Sequence, residues 1–290
     1  MKMKSIFAII IIFILLCPLT ANSRDNKPNS GFEIGTWRYN LSGTLNFFNP
    51  GFDFSSNLKS NGSFNKNNNF SGAYAQKIGN LSDLYVSVNM TRNSGVLKAY
   101  GANNVTVNNV VFGAGGYAVI NTELNSDVID IMGLREIASS ENGYINFAYG
   151  MRLGRIAINL SDANFIASNS YERNLALPFI GLDGTCNINE KLYFYGKYIG
   201  TNIDTGGGSD KKNYLINEVD AGIEYHLTHP EPEYTEIGPG LPTPREGKAA
   251  DALDWYLQLG YKEQYMKETE KQNRMVIRNG GPQFKVIIRH

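Results

Sequence analysis

The stretch DWYLQLGYK, residues 254–262, alternates without an error. Together with Leu253, the residues Trp255, Leu257, Leu259 and Tyr261 share one parity. Asp254, Tyr256, Gln258, Gly260 and Lys262 share the other. Period two is the spacing of a β-strand, whose successive side chains point to opposite sides. One face is apolar and one polar, so the fold turns on which of them meets water. A soluble barrel or sandwich points its apolar face inward. A barrel in a bilayer points it outward and keeps the polar face inside.

The same pattern recurs along the chain. In WRYNLSGTLNF (37–47), Trp37, Tyr39, Leu41, Leu45 and Phe47 alternate with Arg38, Asn40, Ser42, Thr44 and Asn46. Further strands are expected near 70–78, 84–91, 117–136, 145–153, 175–188, 191–200 and 213–227, at the opening stretch, and at the close of the chain. Asp130 breaks the pattern of the fourth by falling on the apolar parity, while Glu123, Asn125 and Asp127 keep to the polar one. Pro178 is placed near the start of its strand, and 93–116 reads as loop. The total is about ten strands, within a range of eight to twelve, joined by turns that alternate between short and long. That is an all-β, antiparallel up-and-down meander. Residues 228–250, with Pro230, Pro232, Pro239, Pro242 and Pro244, read as an excursion that cannot sustain a ladder of backbone donors.

Residues 1–23 have the build of a cleaved secretory signal. Lys2 and Lys4 precede an apolar run from Ile6 to Leu16, Pro18 breaks it, and Ala21-Asn22-Ser23 offers a cleavage site. The remaining chain, 24–290, is expected to form a single barrel domain. Removing the two leader lysines leaves 25 basic against 27 acidic residues, a balance that suggests no nucleic acid. With Cys17 in the leader, only Cys186 remains, so no internal disulfide is expected. No later run of apolar residues is long enough for a membrane-crossing helix.

Charges on the polar parities do not decide between water and lumen. The apolar parities say more. Aromatic residues gather near strand ends, with Leu, Val, Ala, Gly and Ile between, as interfacial belts around a hydrocarbon band would require. On that reading Trp37 and Trp255 sit at periplasmic strand ends. The lumen-facing polar residues are then Arg38, Arg152, Glu218, Asp220, Glu224 and Lys262, together with Tyr193, Tyr195 and Lys197. Their mixed signs suit an internal salt-bridge network or a narrow, weakly selective pore.

The leader, the strand GTWRYNLSGTLNF (35–47), the meander and the close GPQFKVIIRH (281–290) together resemble a mostly uncharacterised family of small, ten-strand bacterial outer-membrane β-barrel proteins. The likeness covers roughly 33–290. It implies residence in the outer membrane, with outer-membrane lipid and the barrel-assembly machinery as partners. Two features depart from it. The chain closes on His290 where such barrels commonly carry an aromatic residue, and 228–250 is longer than a usual periplasmic turn; it could dock a periplasmic partner or act as a linker.

Glu224 and His226 share the polar face of one strand, about 7 Å apart. An acid beside a histidine is the start of a hydrolytic site, yet no serine motif accompanies it, and a hydrogen-bonded lumen pair is the expected role. No catalytic residue, metal site or cofactor is assigned. The alternatives are an outer-membrane hydrolase using Glu224 and His226, and a soluble periplasmic β-barrel binding protein.

Overall fold

Most of the alternating stretches become strands longer than the alternation itself. The computed structural model describes residues 30–49, 52–58, 62–79, 82–100, 105–107, 110–112, 117–140, 142–162, 168–206, 211–227, 234–235, 243–244, 253–270 and 273–290. The expected leader, 1–23, lies outside them. β1 (Ser30–Trp37) and β2 (Asn40–Asn49) run end to end along β16 (Asn273–Arg289) and act as one spanning strand. From β1 the wall proceeds through β4 (Gly62–Gly79), β5 (Ser82–Tyr100), β8 (Tyr117–Ser140) and β9 (Gly143–Asp162). It continues through β10 (Ser168–Asn187), β11 (Leu192–Thr205), β12 (Lys212–His226) and β15 (Asp254–Glu270) to β16. Pairing of β16 with β1, from Gly31↔Arg289 to Trp37↔Gln283, closes the ring. The result is a closed, ten-stranded antiparallel barrel with no helix among the described residues.

The first and last strands meet at one end, where Ser30 and His290 exchange backbone bonds. This near end also carries the short connections from β4 to β5, β8 to β9 and β10 to β11, together with the long one from β12 to β15, while the short connection from β15 to β16 lies at the far end. At 187–192 the cause is local: the Asn189 carboxamide oxygen accepts from the backbone nitrogens of Lys191 and Leu192, at 3.0 and 2.9 Å. The far end carries most of the longer connections, including the short strands β3 (Phe52–Asn57), β6 (Val105–Val107) and β7 (Val110–Phe112).

Three expectations change. The region 93–116 is not all loop, because β5 continues to Tyr100 and β6 and β7 follow. Pro178 lies in the middle of β10, not near its start. Within the Pro-rich stretch, Tyr234–Thr235 (β13) pairs with Thr243–Pro244 (β14); the rest of 228–252 lies outside the described residues.

The main correction concerns which face is apolar. On β9 the outward side chains are, in order, Phe147, Tyr149, Met151 and Leu153, then Arg155, Ala157 and Asn159. The inward ones are Asn146, Ala148, Gly150 and Arg152, then Ile156, Ile158 and Leu160. Parity never slips, but its chemistry reverses above Leu153. On β8 the same reversal lies between outward Ile129 and Asp127, and on β15 and β16 between Tyr261 or Pro282 and the Glu263–Arg278 pair. A 20-residue strand such as β9 rises about 50 Å once tilted, about twice the roughly 25 Å of an apolar belt. The near half of the barrel is thus apolar outside and largely polar inside, apart from one small inward cluster of Met132, Leu134, Ala148, Phe179 and Ile199, and the far half is polar outside and largely apolar inside.

The first strand therefore faces the other way from the expectation. Phe32 and Ile34 are its outward belt residues, while Trp37, Tyr39, Leu41 and Leu45 are buried inside. Arg38, on the opposite parity, is exposed on the outer wall and not in the lumen. Trp37 lies partway up the interior, where β1 gives way to β2, and not at the near rim. The residues are spaced as the sequence implies; what differs is which face is apolar at their height.

Candidate functional site

All the spanning strands help to line the interior, which is filled in layers. Nearest the termini, Arg289 donates to both oxygens of Glu224 at 2.6 and 2.9 Å, and Gln258 donates to Glu224 at 3.3 Å. The Arg289 guanidinium lies 4.3 Å from the Tyr256 ring centroid, and the His226 ring stacks on Tyr256 at 4.4 Å. His226 Nε2 is 3.1 Å from an Asp254 oxygen. The two-residue spacing does put Glu224 and His226 on one inward face, but each is engaged by its own partner set. This arrangement orients rings and neutralises charge. It does not resemble a poised acid and base.

One layer farther in, Lys285 donates to Asp220 at 3.0 Å and lies 3.7 Å from Glu33, which also accepts from the Tyr85 hydroxyl at 3.1 Å. Gln283 donates to both Asp220 and Tyr195. Lys197 lies over the Tyr85 ring. Packing is tight here: a Cβ added at Gly260 would sit 2.0 Å from the Tyr195 hydroxyl.

A buried ionic waist follows. Arg152 donates two 2.7 Å bonds to Asp130 and one of 2.8 Å to Glu218. Lys262 lies 3.0 Å from the other Glu218 oxygen, donates to Asn89 at 3.2 Å, and stands 5.4 Å from the Trp37 ring. Two carboxylates meet two cations, so the waist is formally neutral and offers no field that would favour one sign of ion. Beyond it the interior is apolar, with Tyr39, Leu45, Leu97, Ile120, Leu124, Ile156, Ile158, Met275 and Ile277 forming one buried cluster. At the far rim Arg173 bridges to Glu268 at 2.9 Å and to Glu270, reaching from β10 to β15.

Of the residues expected in the lumen, Arg152, Glu218, Asp220, Glu224 and Lys262 lie buried there, and Arg38 does not. Sequence reasoning missed Glu33, Asp130, Lys285 and Arg289. The last two were readable: Gln283, Lys285 and Arg289 alternate with Phe284, Val286 and Ile288 in the closing strand. Asp130 was visible as the residue that broke the apolar parity.

A cavity of about 190 Å³ lies on the near side, among Glu33, Asp220, Glu224, Lys285 and Arg289. It has room for on the order of ten waters. A second, of about 50 Å³, lies between the waist and the apolar cluster, beside Arg152 and Asn279.

Comparison with protein-family models and with curated proteins gives no match. Among solved structures, the chain is similar to the transport unit of the autotransporter AIDA-I from Escherichia coli, with TM-score 0.41, 9% identity, and coverage of 97% of this chain and 96% of that one. It is also similar to the translocator domain of the autotransporter NalP from Neisseria meningitidis, with TM-score 0.31, 10% identity, and coverage of 99% and 98%. A third is the toluene transporter TodX of P. putida, with TM-score 0.30, 9% identity, and coverage of 94% and 92%.

Proposed function

We propose that the chain is an outer-membrane barrel protein that crosses the bilayer with its near half, stands in water with its far half, and keeps its lumen closed to solutes. Its role is structural: anchoring a rigid column and holding the far-end loops away from the membrane. The reversal of inside and outside chemistry along each strand carries this reading. A wall that is apolar outside fits hydrocarbon, and one that is apolar inside, with exterior pairs such as Arg155–Glu172 and Arg92–Asp127, fits water. Three of the four near-end connections are short, which suits the periplasmic side of such barrels, and four of the five far-end ones are longer, which suits the outer side. A neutral waist beneath an apolar plug supports a closed structural barrel over a narrow porin. The engaged partners of Glu224 and His226 support a non-catalytic role for that pair.

The test is site-specific labelling of intact cells. In a Cys186→Ser background, Asn159→Cys should react with a membrane-impermeant maleimide and Met151→Cys should not. Labelling at both positions, or at neither, overturns the half-embedded reading. Reconstituted in a planar bilayer, the protein should show no stepwise conductance; ohmic steps at low voltage would restore the narrow pore.

A further inference from the structure

One seam in the barrel wall closes only partway. β9 and β10 pair over nineteen residues, from Ser168↔Ser161 to Cys186↔Gly143. β10 and β11 pair over only eight, from Asn187↔Tyr193 to Ile180↔Gly200. Both strands continue toward the far end, to Ser168 and Thr205, with no ladder between them. The other short ladder, β1 with β4, is followed by β2, which takes β3 as its neighbour. No described strand takes that place between β10 and β11.

Pro178 supplies the cause. It keeps its place opposite Met151 in the β9 ladder. A proline can do so only by turning its bare nitrogen to the other side, where it has nothing to give β11. The pairing stops two residues short of it.

Beside the opening, the outer wall holds a groove of about 980 Å³, at the top of the roughly 300–1,000 Å³ range of small-ligand sites. Pro178 and Ile180 form one side, and Gly200, Leu215 and Val219 lie on the floor. The space above Gly200 is taken by the Tyr198 hydroxyl, 2.7 Å from where a Cβ would stand. The groove crosses the edge of the apolar belt. Ile180 and Val219 lie among belt residues, whereas Asn217, which accepts from the Tyr198 hydroxyl at 2.9 Å, and Glu263 lie at its margin.

Cations border that margin. Lys267 pairs in register with Leu215, and Arg278 with Tyr265, so both share the outer face with the groove. Glu263 holds Arg278 at 2.8 Å, while Lys267 has no ion pair among the described residues. Exposed Arg274 extends the row. An apolar trough that ends at surplus positive charge, placed at the edge of a hydrocarbon belt, complements an amphiphile with an anionic head.

We infer that this groove binds a phosphate-bearing lipid from the leaflet nearer the far end. Its acyl chain lies along Ile180, Val219 and Leu215, and its phosphate meets Lys267 and Arg278. At the belt edge, around Pro178, the lipid also covers the start of the opening, where backbone edges would otherwise face hydrocarbon, which membrane barrels do not tolerate. The inference rests on the half-embedded reading, which the cysteine labels test separately.

Native mass spectrometry of the full chain in neutral detergent, titrated with dioleoyl phosphatidic acid or dioleoyl phosphatidylcholine, decides it. The expected result is one phosphatidic acid retained per barrel, at least fivefold more readily than phosphatidylcholine. Val219→Trp, which fills the groove and removes no polar group, should lower retention of both lipids at least fivefold. Lys267→Ala should lower only that of phosphatidic acid. Each variant is first shown to be folded by heat-modifiable gel migration, and a misfolded Val219→Trp is replaced by Leu215→Trp. Equal retention of the two lipids, unchanged retention when the groove is filled, or a barrel dimer that displaces the lipid would overturn the inference. If the cysteine labels behave as expected and lipid retention does not, the groove assignment alone fails.

Discussion

Arg152 grips Asp130 with two parallel hydrogen bonds, both 2.7 Å, across neighbouring strands and almost out of reach of water, with Arg152 only 5% and Asp130 only 1% exposed. Glu218 completes the set from the opposite side of the sequence, at 2.8 Å. Removing one member of such a group leaves a buried charge uncompensated, which costs about 3–5 kcal/mol. Arg152→Met should therefore lower the urea midpoint of the vesicle-inserted barrel sharply. Adding Asp130→Asn to it, which leaves Glu218 paired with Lys262, should recover much of the loss. A single variant that unfolds like the wild type would show that the waist is not a structural element.

The reversal along β9 gives a paired test on one strand, one face and one kind of substitution. Met151→Arg places a cation in the belt, where it costs about 2–4 kcal/mol near mid-bilayer. Asn159→Arg, on the same outward face and closer to the far end, should be tolerated. Assembly is read from heat-modifiable migration of the membrane fraction. Equal failure of both variants would mean that the whole strand lies in lipid.

Ile158 makes the complementary point from inside. It is 1% exposed within the far-half cluster. Ile158→Ala should cost about 2–5 kcal/mol, as in the core of a water-soluble protein. The interior of an open aqueous channel would register almost nothing.

Much of this was legible in the alternation. The strand number, the antiparallel meander and the inward parity of Glu218, Asp220 and Glu224 on β12 all follow from period two, because on that strand the belt and the alternation coincide. Trp37, Tyr39, Leu41 and Leu45 alternate just as cleanly, yet they point inward. Alternation reports that two faces differ, not which medium each one meets. When a strand outruns the bilayer, that medium changes partway along it. The signals of the change were single residues: Asp130 on an apolar parity, Arg155 following Leu153, and Arg38 following Ile34 and Thr36. The unpaired seam was still less legible, because Pro178 reads equally well as a strand start or as a strand interior beside an open edge.

At the far rim, outside the belt, two carboxylates on β15 flank Arg173 and titrate in opposite senses. Burial raises Glu268 above the usual carboxylate range. For Glu270 the upward push of burial is outweighed by the hydrogen bond from Lys212 and the charge of Arg173, so its pKa is lowered. A raised folded pKa means that the folded state binds more protons, so the Glu268 contribution to stability improves as pH falls toward and through that pKa. A lowered one means the reverse, and the Glu270 contribution is lost as pH falls through its depressed value. Glu270→Gln should therefore leave a rim that tightens from neutral to mildly acidic pH, and Glu268→Gln a rim that loosens only in acid. Hydrogen-exchange protection of residues 264–270, corrected for intrinsic rates, reads both. Identical pH profiles for the two variants would contradict the assignment.

The position of the Pro-rich connection follows from the two strand ends it joins. β12 ends at His226 and β15 begins at Asp254, and both ends lie on the rim that carries Ser30 and His290. The Leu227 backbone nitrogen donates to Trp255 at 2.8 Å, which ties the two strands together where the connection leaves. Because both of these strand ends lie on that rim, the connection between them leaves from and returns to the near side, the periplasmic side in the proposed orientation. Protease added to intact cells should leave this segment whole, and protease admitted to the periplasm should cut it. Cutting from outside would invert the barrel in the membrane. It would also carry Glu224, His226 and Arg289 to the outer surface and place the far-half column, with its apolar core, in the periplasm.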